Sequence, residues 1–174
     1  MNILCFGDSN TYGYDPKGFG RRYGKEDRWV DRLERQTGYT AINAGVNGQE
    51  IPRHDIQLQE ADCLLVMLGT NDLLQGATAK DAAARMACCL TSLLPHYRQI
   101  FLIAPPPMKR GAWVPTDDLV WASLQLGEEY RLLAEKLNIA FIDTRNWNIE
   151  LAFDGVHFTE NGHRIFADRL MECL

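Results

Sequence analysis

Short apolar runs alternate with amphipathic stretches along this chain, and the alternation predicts an α/β protein. Five runs of strand-like composition occupy residues 2–6, 40–44, 63–68, 100–104 and 139–142. The third run is the most apolar and predicts a central strand that ends before Gly69. Helix-like segments separate most of these runs, which favours a parallel sheet covered by helices on both faces.

Four segments have the spacing of amphipathic helices. The first starts near residue 27, carries Trp29, Val30 and Leu33 on one face, and ends at Gly38. The second is the alanine-rich stretch 78–94, which Pro95 ends, and the third covers about 118–137. The fourth, 162–174, is expected to turn four apolar side chains inward: Ile165, Phe166, Leu170 and Met171. No repeat or linker interrupts the pattern, so we expect one domain over residues 1–174.

Composition narrows the class of protein. Apolar residues make up 46% and charged residues 24% of the chain, as in ordinary globular proteins. The net charge is −5 without a basic run, which argues against nucleic acid as a partner. No apolar run approaches the roughly 20 residues that span a bilayer, so no membrane is expected. Five cysteines without a C-x-x-C pair predict reduced, buried thiols, and the first residues predict a strand rather than a leader, so we expect a cytoplasmic protein.

Chemically active side chains cluster directly after the predicted strands. Four segments, each interpreted as a turn that follows an apolar run, carry them: 7–10 (Gly-Asp-Ser-Asn), 43–48 (Asn-Ala-Gly-Val-Asn-Gly), 69–72 (Gly-Thr-Asn-Asp) and 154–157 (Asp-Gly-Val-His). Of their residues, Ser9, Gly48 and Asn71 fall just after predicted strands. In an open α/β sheet the working crevice lies beyond the carboxyl ends of the strands. We therefore expect these four segments to meet at one edge of the sheet.

Together the segments supply the groups of nucleophilic acyl transfer. Ser9 is the candidate nucleophile, and it needs a base within hydrogen-bond reach because a free hydroxyl attacks poorly at neutral pH. His157 is the candidate base, with His163 as its rival, since His54 and His96 lie in polar or proline-flanked surroundings. Asp154, three residues before His157, could orient the ring and stabilise the imidazolium. A glycine amide and the Asn71 side chain could serve as oxyanion donors.

These segments, in this order, resemble the blocks of the SGNH (GDSL-type) hydrolase superfamily. Further similarity to a bacterial arylesterase/acyltransferase branch lies in Arg28-Trp29, Pro105-Pro106-Pro107 and Phe158-Thr159. The resemblance implies a flavodoxin-like three-layer α/β/α sandwich with a five-stranded parallel sheet, and ester hydrolysis without a metal or organic cofactor. It also implies an oxyanion hole made of the Ser9 N–H, the Gly48 N–H and the Asn71 amide, with Gly48 favoured over Gly45.

One residue departs from the family motif. Asn10 stands where the name-giving Gly-Asp-Ser-Leu has leucine. The position does no chemistry in the expected mechanism, so the catalytic interpretation is unaffected, although loop hydrogen bonding could change.

Aromatic residues in the loops suggest the substrate. Tyr12, Tyr14 and Phe19 follow the nucleophile, Trp113 follows the proline run, and Trp147 precedes Asp154. Such rings can stack on an acyl, aryl or sugar group, or simply pack within loops. No large apolar surface of the lipase kind is evident, so we expect short acyl esters of small alcohols, aryl groups or carbohydrates as substrates.

Other functions stay open or are argued against. An acyltransferase would use the same residues, and a non-catalytic flavodoxin-like binding module would lack a member of the triad. Neither G-x-G-x-x-G nor G-x-x-x-x-G-K-[ST] occurs, which argues against phosphate binding. The histidine spacing does not match a zinc site. A homo-oligomer is possible, since oligomers are common among such enzymes.

Overall fold

Five parallel strands form one sheet in the computed structural model, which describes residues 1–18 and 20–174. The strands are β1 (Asn2–Gly7), β2 (Thr40–Gly45), β3 (Cys63–Met67), β4 (Gln99–Ile103) and β5 (Ala140–Ile142). Their order across the sheet is β2-β1-β3-β4-β5, the flavodoxin-like order. At the carboxyl edge Gly7 pairs with Gly45 on one side and with Met67 on the other. The predicted fold class is confirmed.

In the part of the chain that the structure describes, six α-helices and one 3₁₀ turn accompany the strands. The helices are α1 (Ser9–Tyr12), α2 (Trp29–Thr37), α3 (Thr70–Leu74), α4 (Ala79–Leu93), α5 (Asp117–Leu137) and α6 (Glu160–Met171). The 3₁₀ turn Leu94–His96 contains Pro95, so the proline ends α4 as its sequence predicts. Gly38, at φ 71°, ends α2 in the left-handed conformation.

The two faces of the sheet bury separate apolar layers because successive strand residues point to opposite sides. One layer joins Leu64 and Val66 of β3 to α4 and α5. The other joins Leu65 and Met67 of the same strand to α2 and α6. This arrangement makes three layers and leaves the carboxyl edge of the strands for the loops.

Several local predictions were wrong. Met171 of α6 is 39% exposed, and the buried positions of that helix are Gly162, His163, Phe166, Ala167 and Leu170. Segments expected to be turns after β1 and β3 are the short helices α1 and α3. All five cysteines are free, but Cys88 and Cys173 are exposed rather than buried.

Within the described residues, no helix combines the length and the apolar character that a bilayer span requires.

Candidate active site

Ser9 lies at the sharp change of direction from β1 to α1. The carboxylate of Asp8 accepts a hydrogen bond from the Asn10 N–H at 2.9 Å and so caps the helix that Ser9 begins. The helix ends after four residues, where Gly13 adopts φ 90°. Ser9 is 6% exposed, so the side chain is buried at the carboxyl edge of the sheet. The first N–H groups of a helix have no partner within it, which leaves such donors available at this edge.

Ser9, His157 and Asp154 are joined by hydrogen bonds in series. The Nε2 atom of His157 lies 3.0 Å from Ser9 Oγ. On the other side of the ring, Nδ1 lies 2.7 Å from Asp154 Oδ2. His157 is 2% exposed and Asp154 is 1% exposed. The arrangement has the geometry of a nucleophile, a base and an orienting carboxylate.

Hydrogen bonds keep Asp154 ionised despite its burial. Desolvation alone would raise the pKa of this carboxyl. The ring of His157 and the backbone N–H groups of Val156 and His157, both 2.9 Å from Oδ1, oppose that effect. As a result the pKa of Asp154 lies below its ordinary value. The side chain therefore carries a negative charge beside the imidazole at neutral pH.

A glycine permits the loop that carries this pair. Gly155 adopts φ 82°, and a Cβ atom there would lie 2.0 Å from the carbonyl oxygen of Lys109. The Lys109 N–H donates to the Gly155 carbonyl at 3.0 Å, and the Trp113 N–H donates to the Asp154 carbonyl at 3.0 Å. The segment 109–113 is thereby fixed against the Asp154 loop. Only glycine meets both the backbone conformation and the close approach.

Asp8 is a second buried carboxyl near the site. Burial raises its pKa to about 6, although the hydrogen bond from the Asn10 N–H and the neighbouring His157 ring lower it in part. Asp8 is 2% exposed. The side chain thus acts as a cap for α1.

The oxyanion candidates lie on the loops after β2 and β3. The Gln49 N–H donates to the Val46 carbonyl at 3.1 Å, and Gly48 inside this turn adopts φ 73°, which is typical of a type II turn. One Asn71 Nδ2 hydrogen is used by the Gln49 carbonyl at 3.1 Å. The side-chain amide has a second hydrogen to offer. Gly48 and Asn71 are therefore held next to each other.

Asp72, on α3, hydrogen-bonds to the loop that follows β2. Its carboxylate accepts from the Ile51 N–H at 3.0 Å and pairs with Arg85 at 2.9 Å. Asp72 is 0% exposed, so the arginine compensates a buried charge. These contacts give Asp72 a structural role beside the oxyanion candidates.

Gly45, the competing glycine, has a different task. A Cβ atom at this position would lie 2.1 Å from the Tyr12 N atom and 2.6 Å from the Thr11 carbonyl carbon. The residue is thus needed where β2 approaches the backbone of α1, rather than for the turn that follows the strand.

Two of the predicted substrate-binding aromatics flank the His157 ring. The ring of Tyr14 lies 4.6 Å from it in a tilted arrangement, and the Trp113 ring lies 4.9 Å away, edge to face. Trp113 is 49% exposed, so part of its ring faces solvent beside the site. The Tyr12 ring instead contacts the guanidinium of Arg22 at 4.5 Å. Phe19 lies outside the described residues.

Two further residues considered at the sequence level lie elsewhere. Trp147 packs on Phe166 of α6, with ring centroids 5.4 Å apart. His163, the rival base, is 0% exposed and packs on Tyr23 and Phe158, and neither ring nitrogen has a hydrogen-bond partner. His54 and His96 are exposed. His157 is accordingly the histidine that reaches Ser9.

Asn10 makes contacts that its sequence position does not reveal. Its side chain hydrogen-bonds to the Val156 carbonyl at 3.1 Å and to the Phe158 N–H at 2.9 Å. Both partners lie on the loop that carries His157. No local signal predicts these bonds, because the partners are 146 and 148 residues away.

Across residues 1–18 and 20–174, no group of three or more His, Cys, Asp and Glu side chains is arranged to hold a metal ion.

Comparison with known proteins gives a family and a set of similar folds. The sequence profile of the GDSL-like lipase/acylhydrolase family matches residues 5–165. The native aryl esterase of M. smegmatis is 25% identical, with a TM-score of 0.84 over 99% of this chain and 97% of that one. A carbohydrate acetylesterase family member from Sinorhizobium meliloti is 26% identical, with a TM-score of 0.80 over 100% of both chains.

A third solved structure shares the fold at lower identity. It is a member of the lipolytic protein G-D-S-L family from Veillonella parvula DSM 2008, 22% identical with a TM-score of 0.78 over 99% of this chain and 97% of that one. No curated protein matches this chain significantly.

Proposed function

Since this chain belongs to the GDSL-like lipase/acylhydrolase family and is a carboxylic ester hydrolase, we propose that it releases short acyl groups through an acyl-enzyme on Ser9. The proposed substrates are acetyl-like esters of small alcohols, aryl groups or carbohydrates. The observation that carries the proposal is the series of hydrogen bonds from Ser9 Oγ to His157 Nε2 at 3.0 Å and from His157 Nδ1 to Asp154 at 2.7 Å.

In the first half of the proposed reaction, Ser9 Oγ attacks the ester carbonyl carbon while His157 Nε2 takes its proton. The ionised Asp154 stabilises the imidazolium that forms. The carbonyl oxygen becomes an oxyanion, which the Ser9 N–H, the Gly48 N–H and the Asn71 amide would bind. When the carbon–oxygen bond to the alcohol breaks, His157 returns the proton to the leaving alkoxide, and the acyl group stays on Ser9.

In the second half, water attacks the acyl-enzyme and His157 takes a proton from it. A second oxyanion forms and collapses, the bond between the acyl carbon and Ser9 Oγ breaks, and His157 returns the proton to Ser9. The carboxylic acid leaves, and the enzyme is restored. Two aromatic rings, Tyr14 and Trp113, lie against His157 and would narrow the space beside the reacting carbon, which favours small acyl groups.

Hydrolysis of p-nitrophenyl acetate, butyrate and octanoate by the wild type and by Ser9→Ala tests the proposal. We expect the acetate ester to be hydrolysed fastest and Ser9→Ala to lower kcat by at least about 10⁴-fold, because removing the nucleophile removes the covalent route. A burst of p-nitrophenol equal to the enzyme concentration would report the acyl-enzyme.

Ser92→Ala is the matched control. The Ser92 hydroxyl bonds to the Cys89 carbonyl within α4, so this variant should hydrolyse the esters like the wild type. Turnover that survives in folded Ser9→Ala would disprove the nucleophile. Octanoate hydrolysed as fast as acetate would disprove the short-acyl preference.

A further inference from the structure

The side chain of Asn10 holds the backbone on both sides of His157. Its Nδ2 donates to the Val156 carbonyl at 3.1 Å, and its Oδ1 accepts from the Phe158 N–H at 2.9 Å. We propose that Asn10 is a positioning residue, which fixes the place of His157 over Ser9 through this pair of bonds. The inference rests on the proposed function, in which His157 is the base.

The pair of bonds joins the two halves of the reacting constellation. Asn10 follows Ser9 directly in α1, whereas Val156 and Phe158 flank His157 directly in the distant loop. A carboxamide offers one donor and one acceptor, and it can therefore pair with a backbone segment as another peptide group would. The residues next to Ser9 and His157 therefore fix the relative position of these two side chains, in addition to their own 3.0 Å hydrogen bond.

Asn10 is itself fixed on every side. Its N–H donates to the Asp8 carboxylate at 2.9 Å, and its carbonyl accepts from the Trp29 indole N–H at 3.0 Å. The residue is 6% exposed, and both side-chain bonds are buried. Since two bonds hold the backbone of Asn10 and two hold its side-chain amide, the residue has little freedom to turn and can act as a rigid reference for the His157 loop.

The loop also binds His157 from within. The His157 N–H donates to Asp154 Oδ1 at 2.9 Å, and the His157 carbonyl accepts from the Ala152 N–H at 2.8 Å. These internal bonds fix the ring relative to Asp154 but do not set its distance to Ser9. The two bonds from Asn10 connect the loop to α1 independently of the Ser9–His157 bond itself, so they bear on the Ser9–His157 geometry.

A leucine at position 10 could not do this. Leucine, the residue of the name-giving motif, branches at the same carbon but has no polar atom in its side chain, so the Val156 carbonyl and the Phe158 N–H would lose their buried partner. Displacement of a catalytic group by about 1 Å can cost about 100-fold in rate. We therefore expect the loss of these bonds to appear in kcat rather than in substrate binding.

The test compares Asn10→Leu with the wild type on p-nitrophenyl acetate. Asn10→Leu should lower kcat about 10- to 100-fold and leave KM within about two-fold, because substrate contacts are untouched while the base is misplaced. Asn10→Ser is the second variant should the leucine not fold. Thr144→Val is the control for lost stability, because it too removes a buried hydrogen bond, the one from the Thr144 hydroxyl to the Ala104 carbonyl at 2.7 Å. This variant should keep the kcat of the wild type.

A spectroscopic measurement separates positioning from general stability. The His157 Nδ1 proton, shared with Asp154, should give a downfield proton NMR resonance that His157→Ala lacks. This resonance should persist in both Thr144→Val and Asn10→Leu, because the bonds within the loop hold the ring against Asp154. A kcat that falls in Asn10→Leu while the resonance stays then places the fault between His157 and Ser9, whereas loss of the resonance in Asn10→Leu would show that the loop itself is disrupted and would overturn the positioning role. A folded Asn10→Leu that keeps both the resonance and a kcat within two-fold of the wild type would overturn the inference. Ser9→Ala that retains turnover would instead overturn the proposed function, whatever the resonance shows.

Discussion

Each oxygen of the Asp154 carboxylate has its own partners. Oδ1 accepts the N–H groups of Val156 and His157, and Oδ2 faces the imidazole at 2.7 Å. The backbone bonds hold the carboxylate in place, so the oxygen that faces the ring is already oriented before any proton moves. These hydrogen bonds to both oxygens explain how the Asp154 carboxyl, which is 1% exposed, keeps a pKa below its ordinary value.

Asn71 allows a direct test of the proposed oxyanion hole. Asn71→Ala should lower kcat by about 100- to 1,000-fold, the usual cost of one such donor, because the developing oxyanion loses a hydrogen bond made mainly in the transition state. Stopped-flow or steady-state hydrolysis of p-nitrophenyl acetate would measure it.

The control for this variant lies in the neighbouring loop. Asn47 is exposed in the turn that contains Gly48, so Asn47→Ala should keep kcat within about two-fold of the wild type. If Asn71→Ala lowered only the thermal stability and kept kcat, its bond to the Gln49 carbonyl would be its main contribution and the oxyanion role would be wrong.

The candidate triad could be predicted at the residue level because its members stand in short, ordered motifs. Asp154 and His157 lie three residues apart, and Ser9 follows a buried strand. The role of Asn10 could not be predicted, since its partners come into reach only when the chain has folded. The contact of the Tyr12 ring with the Arg22 guanidinium could not be predicted either, because no pattern in the sequence indicates that the loop brings these two side chains together.

Helix α1 owes its position to the end of β2. Gly45 lets the strand approach the helix backbone at Thr11 and Tyr12, and Asn43 Nδ2 donates to the Thr11 carbonyl at 2.8 Å. A helix of four residues has little stability of its own, so these contacts, together with the Asp8 cap, determine where Ser9 lies.

Gly45→Ala should therefore damage both stability and turnover. The added Cβ would lie 2.1 Å from the Tyr12 N atom, so α1 must move away from β2. We expect a loss of about 1–3 kcal/mol in the free energy of unfolding and a kcat about 10- to 100-fold lower. Urea unfolding and p-nitrophenyl acetate hydrolysis measure the two effects.

Gly38→Ala separates the loss of a glycine from the displacement of α1. Gly38 has φ 71° and nothing within 4 Å of a Cβ atom, so the variant should lose about 1–2 kcal/mol of stability through backbone strain and keep its kcat. An unchanged kcat in Gly45→Ala would mean that α1 is not positioned by this contact.

Among the elements, length decided what the sequence could predict. All five strands and the four long helices lie within three residues of their predicted bounds, because each spans at least one full hydrophobic period. Helices α1 and α3 have four and five residues, too few for a period, and were therefore expected to be turns. Strand order could not be derived from periodicity; it followed from the family resemblance.

At the scale of the whole molecule, His163 makes the fold sensitive to acid. Burial, followed by the charges of Arg32 and Arg28, lowers the pKa of His163 to about 3. The folded state keeps the ring neutral, whereas the unfolded chain takes up a proton below about pH 6.5. The burial of a neutral His163 therefore does not reduce the free energy of unfolding above about pH 6.5. Below that pH the free energy of unfolding falls by up to about 1.4 kcal/mol per pH unit, until about pH 3.

His163→Leu should remove this part of the pH dependence. Between pH 7.5 and pH 5.0, the wild type should lose about 2 kcal/mol of unfolding free energy that the variant keeps. Urea unfolding at the two pH values measures the difference, and His54→Leu, at an exposed position, should follow the wild type. Equal losses in the wild type and in His163→Leu would show that the buried ring is not the acid-sensitive group.

The bond between Ser9 and His157 spans 148 residues of chain, and this separation has a consequence for biosynthesis. At a translation rate of about 5–20 residues per second, the serine leaves the ribosome roughly 7–30 s before its histidine. During this interval the hydroxyl has no base to activate it and stays chemically inert. In the proposed mechanism, the nascent protein therefore acquires its reactivity only after β5 and the loop that carries His157 have been made.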